Sequence, residues 1–134
     1  MINKITTMKT AILNITILIL GSNIASALEF EVYTAYISKH DLVSSSGVRL
    51  TSAGSILQQD RANFHKFKKR DDGDTNDGGF FSTAENRAKL AAMINGLTGV
   101  DEAMQKLILK GNVKLRIDPL LKEGGDYISV EVVE

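Results

Sequence analysis

A chain of 134 residues with 16 basic and 16 acidic side chains, no cysteine and one proline is formally neutral and has no disulfide or thiolate chemistry. That balance excludes the concentrated positive charge with which nucleic-acid binders meet phosphate, so no nucleic-acid partner is expected. The length suits one domain with a modest core.

The N-terminus has the zones of a secretory signal. Lys4 and Lys9 are basic, no acidic residue comes before Glu29, and Ala11 to Leu20 is an apolar run. Its length is that of an h-region, about half of what a membrane span needs. Gly21, Ser22 and Asn23 break the run, and Ala25-Ser26-Ala27 offers the small-x-small site that a signal peptidase accepts. The expectation is a cleavable signal peptide over residues 1–27 and a single mature domain over residues 28–134, exported to a periplasm or to the external medium. Asn14 and Thr16 inside the run count against an uncleaved anchor, and Met8 is a second workable start. With no twin-arginine pair, the general secretory route is expected. No second run of membrane length follows, so the mature domain is expected to be soluble and to have no membrane span. An exported domain without disulfides suits a bacterial setting better than an animal one. Once Lys4 and Lys9 are removed, 14 basic residues face 16 acidic ones.

From Leu28 to Ile37 the residues are β-branched and aromatic, as strands prefer, with Phe30, Val32, Thr34 and Tyr36 on one face and Tyr33, Ala35 and Ile37 on the other. After the loop Ser44-Ser45-Ser46-Gly47, Thr51 or Ser52 is placed to cap a helix running to about Phe67. Ala53, Ile56, Leu57, Phe64 and Phe67 form its apolar stripe. Ser82 with Glu85 reads as a capping box for a second helix that buries Ala84, Ala88, Ala91 and Ile94 and stops at Asn95-Gly96. Thr98 begins a third helix, with Asp101 near its start and Val100, Ala103 or Met104, Leu107 and Ile108 inward, and Gly111 ends it. Val113, Leu115 and Ile117 then alternate with polar residues. A loop holds Pro119 and Gly124-Gly125, and Ile128, Val130 and Val132 alternate again, so the C-terminus reads as a β-hairpin with Lys114 and Arg116 opposite Glu131. The predicted fold class is α+β: a small antiparallel sheet, made of the N-terminal strand and the C-terminal hairpin, covered by three helices.

Four features bear on chemistry. Asp72-x-Asp74-x-Asn76 sets oxygen side chains at alternate positions, which suits a hard cation, and it resembles the first half of an EF-hand loop. The resemblance stops at those residues: Asp77 stands where the family has glycine, Thr83 where it has a bidentate glutamate, and Glu85 falls two residues late. It implies at most a looser calcium loop; the plain reading is a solvated acidic turn. Asp60 lies on the apolar stripe between Leu57 and Phe64 and must be paired, with His40, Arg61 or loop amides as partners. It reads either as an internal clamp between loop and helix or as the acid of an acid–base pair with His40 or His65, which would make a small hydrolase. His65 is expected on an exposed flank with Gln58 and Arg61. The two histidines show neither His-x-x-x-His nor Asp-x-His spacing, so no transition-metal site is expected, and no serine sits in a nucleophile elbow. Finally, the basic run His65-Lys66-Phe67-Lys68-Lys69-Arg70 precedes the acidic loop; it reads as a solvated surface or as a dock for a protein or an anionic envelope polymer.

Arg49-Leu50-Thr51 together with Gln59-Asp60-Arg61-Ala62-Asn63-x-His65-x-Phe67 is similar to a stretch in small exported bacterial proteins of uncharacterised function. The similarity lies within residues 49–67; it implies a bacterial exported origin and assigns no site. With no cofactor motif beyond the calcium reading, the leading expectation is a small exported protein that binds another macromolecule and is not an enzyme. An exposed aromatic patch from Phe80-Phe81 with Tyr33 or Tyr36 would serve such binding.

Overall fold

A computed structural model describes residues 30–96, 99–122 and 125–134; the signal-peptide expectation for residues 1–27 and the capping role of Thr98 fall outside them. The elements are β1 (Tyr33–Ile37), α1 (Ala53–Ala62), α2 (Ala84–Asn95), α3 (Glu102–Lys110), β2 (Val113–Lys122) and β3 (Gly125–Val132). The three strands form one antiparallel sheet in the order β1-β2-β3, so the strand from the start of the described chain joins the C-terminal hairpin as expected. All three helices lie in the connection between β1 and β2. No described helix is long and apolar enough to cross a membrane.

The strand alternation resolves in favour of Tyr33, Ala35 and Ile37, which are buried with Leu115 and Ile117 of β2 and Ile128 of β3. On the opposite face the register sets Arg116 against Glu131, as the hairpin pattern predicts. The hairpin is longer than predicted. Pro119 is not in a loop but within β2, paired with Ile128. It is tolerated there because β1 reaches only as far as Ile117, so beyond that point β2 has a neighbour on one side only.

Ser52 caps α1, its Oγ accepting from Ser55 N at 3.1 Å, and the helix presents Ala53, Ile56 and Leu57 to the core, with Phe64 buried just beyond its end. Gly54 lets α2 come close. A Cβ there would stand 2.4 Å from Ala91 O, and Gly54 N donates to Asn95 Oδ1 at 2.9 Å. The last turn departs from the α form: Asn63–Phe67 is a π-turn, closed by Lys68 in the left-handed region (φ 56°). A π-turn holds more residues per turn, so Phe67 does not come round to the face of Phe64. It is 38% exposed, against the expected stripe.

Four further expectations are corrected. The capping box does not form at Ser82, because Phe80–Ser82 is a short 3-10 turn that carries the start of α2 one residue on. Thr83 is the cap, accepting from Asn86 N, and Glu85 instead pairs with Lys89 one turn along. The inner face of α2 is therefore Arg87, Leu90 and Ile94, with Ala84 and Ala88 outside. On α3, Asp101 is the N-cap, and Met104 and Ile108 face inward while Ala103 and Leu107 are exposed. Nor is there an exposed patch at Phe81 and Tyr33. Both are buried, in an aromatic cluster with Phe30 and the half-buried Phe80.

Candidate functional site

The most charged part of the interior is centred on Arg61, which the helical pattern placed on an exposed flank and which is fully buried. Its Nε donates to Asp60 Oδ2 at 2.7 Å; its Nη1 donates to Asp77 Oδ2 and to Thr75 O, each at 3.1 Å. The guanidinium also lies over the rings of Tyr33 and Phe64, 4.2 and 4.5 Å from their centroids. His65 Nε2 meets the same Asp77 oxygen at 2.6 Å, and Phe81 N donates to the other. Burial works most strongly against the charge on Arg61, but the groups around it, Asp60 first and then Tyr33 and Asp77, together more than offset it and its pKa is raised. Burial also lifts Asp60, against the pull of Arg61, to about 7. It pushes the Tyr33 phenol well above its ordinary value.

This arrangement places the sequence-flagged residues. Asp60 is 1% exposed, and neither histidine is bonded to it: His65 is held by Asp77, and His40 lies in another cluster. Asp60 with Arg61 clamps α1 to the loop at Thr75 and Asp77, and it does not line a cleft. The oxygens of Asp72, Asp74 and Asn76 have separate duties. Asp74 Oδ1 accepts from Tyr36 N and Oδ2 from Asp71 N, each at 2.8 Å; Asn76 Oδ1 accepts from Gly79 N, and Asp72 is exposed. Thr75 adds to this by bonding both backbone groups of Thr34, so the acidic loop runs along the free edge of β1.

His40 belongs to a second cluster. The turn after β1 is fixed by Asp41, whose Oδ2 accepts from Ser38 N at 2.9 Å and whose Oδ1 accepts from Asn63 Nδ2 at 2.8 Å. Burial, ahead of these hydrogen bonds, raises the pKa of Asp41, and the nearby Asp71 carboxylate acts in the same direction. The left-handed Lys68 ends the π-turn, and the chain beyond it carries Asp71 to His40, with Oδ2 3.0 Å from Nε2. His40 Nε2 is also 3.8 Å from Asp41 Oδ1.

Beside this cluster two cavities of about 260 and 290 Å³ share Ser45, Gln59 and Phe67 in their walls. Together they make a groove along the outer flank of α1 and its π-turn. His40, Asn63 and Lys69 border one half; Ser55, Gln58 and Lys66 border the other. Phe67 stands between them, with Lys66 Nζ 5.1 Å from its ring centroid. The composition pattern pointed to the basic run but not to this groove, because it took Phe67 for a core residue; no signature in the residues marks a π-turn. No family model matches the chain, and comparison with curated proteins and with solved structures finds no match either.

Proposed function

We propose that the chain is a small exported bacterial protein that binds an acidic polysaccharide of the cell envelope in the groove divided by Phe67, and that residues 1–27 are the signal removed on export. The observation that carries this reading is the π-turn, which takes an aromatic ring out of the core and stands it between two cavities, flanked by Lys66 and Lys69. A ring face of this kind suits the C–H face of a sugar. Ser45, Gln58 and Gln59 supply donors and acceptors for hydroxyl groups, and the two lysines supply charge for carboxylates. Two cavities in line suit consecutive residues of a polymer better than one small molecule. Asp60, sealed beneath Arg61, supports binding over hydrolysis, since its carboxyl does not reach the groove.

The test is titration with polygalacturonate, with neutral dextran as the comparison. Binding to polygalacturonate should weaken as salt is raised. It should fall about tenfold in Phe67→Ala, the scale of one lost aromatic contact, and further in Lys66→Ala/Lys69→Ala. Equal binding of dextran, or variants that bind as the parent does, would overturn the reading.

A further inference from the structure

We propose that His40 Nε2, Asp41 Oδ1 and Asp71 Oδ2 form a binding site for a divalent cation of the zinc class. Among the described residues these are three side chains whose ligand atoms all lie within 4.8 Å of one another. The separations from His40 Nε2, 3.0 Å to Asp71 Oδ2 and 3.8 Å to Asp41 Oδ1, bracket the ~3.3 Å between neighbouring ligands around a tetrahedral ion with bonds of about 2.0–2.1 Å.

A second, independent observation points the same way. His40 Nε2 and Asp71 Oδ2 are both shielded from solvent, and neither has a hydrogen-bond partner even though they are 3.0 Å apart. A protonated imidazole paired with a carboxylate would align its N–H on the oxygen. Here the two atoms lie side by side, off the line of a hydrogen bond, as two ligands of one ion do. The supporting contacts are also of the kind that orients metal ligands. Asn63 Nδ2 and Ser38 N hold the two oxygens of Asp41, and Asp71 N is tied to Asp74 Oδ2.

One imidazole nitrogen with two carboxylate oxygens favours zinc or a neighbouring transition ion over calcium, which takes an all-oxygen shell. Three protein ligands leave a fourth position for water or an incoming group. His40 and Asp41 are adjacent, and Asp71 arrives only through the reversal at Lys68, which is why no local spacing announces the site. The inference stands apart from the polysaccharide reading, because it concerns the protein and the ion alone.

The experiment is zinc titration followed by calorimetry and by the ring ¹H–¹⁵N resonances of both histidines. Saturable binding of one ion is expected, with the shift at His40 and little change at His65. Affinity should drop at least tenfold in Asp71→Asn and stay as in the parent in Asp72→Asn, which alters an exposed carboxylate of the same loop. If Asp71→Asn does not fold, His40→Gln carries the same comparison, since that side chain is 37% exposed. The proposal is overturned by a shift centred on His65, by the absence of saturable binding, by ligand variants that bind as the parent does, or by calcium binding as tightly as zinc.

Discussion

At the scale of single residues, the interior is organised by one cation. Arg61 neutralises Asp60 and Asp77, covers two aromatic rings and ties a helix to a loop, all without contact with water. Buried ion pairs of this kind gain in low dielectric what they lose in hydration, so they fix an arrangement more than they stabilise it. The raised Asp60 gives the arrangement a pH signature. Its folded value is about 7 and its ordinary value 3.8, so the folded state binds the proton more tightly than the unfolded state does. The stability this contributes is fully present below about pH 4 and is lost as pH rises through 7. Arg61, Asp41 and Asp74 are the charged groups that act on it. Asp60→Asn should flatten the melting temperature between pH 4 and 7 relative to the parent, as a set of thermal melts would show; a parallel slope in the variant would assign the dependence elsewhere. Asp60 was legible as an anomaly because a carboxylate on an apolar stripe breaks a simple periodicity. Arg61 was among its expected partners and is the one that binds it, but its burial was not legible, because an arginine beside that stripe is ordinarily solvated, and only a partner loop distant in sequence gives it a reason to be inside.

At the scale of elements, most boundaries could be read from caps and periodicity, and the errors have local causes. The 3-10 turn at Phe80–Ser82 moved a cap by one residue and replaced Ala84 and Ala88 on the buried face of α2 by Arg87 and Leu90, with Ile94 inside as expected. The guanidinium of Arg87 bonds the carbonyls of Phe81 and Ser82, which rewards that rotation. The π-turn did the same to Phe67. Such turns arise from competition between neighbouring contacts, and a sequence window that assumes one period throughout has no place for them. The α1–α2 interface rests on a simpler fact, the missing side chain of Gly54. Gly54→Ala would push a methyl group into the Ala91 carbonyl at 2.4 Å. It should destabilise the protein by about 1–3 kcal/mol, because backbone, not a pliable side chain, must move. Denaturant unfolding measures this directly, and a neutral result would mean that the helices separate freely.

At the scale of the whole molecule, the sheet is small and one of its edges is managed by a loop. Asp74 and Thr75 satisfy backbone groups of Thr34 and Tyr36 that an edge strand would otherwise offer to another chain. Asp74→Ala should therefore raise the tendency to self-associate on mild heating, read by light scattering below the melting point, while Asp72→Asn should not. The alternating oxygen pattern of this loop was conspicuous as a cation motif, yet two of its three side chains serve backbone amides. The same short polar groups satisfy amides and cations equally well, so spacing alone does not separate the two uses.

The placement of every described helix between β1 and β2 has a kinetic side. Pairing Tyr33 with Ile117 and Ile37 with Val113 joins segments far apart in the chain, so β1 cannot join the sheet until the chain has been made as far as β2. Closing so long a loop is paid in chain entropy before any ladder contact forms, which slows folding. Until β2 exists, a growing copy has only local helices and turns to form, and β1 has no partner strand.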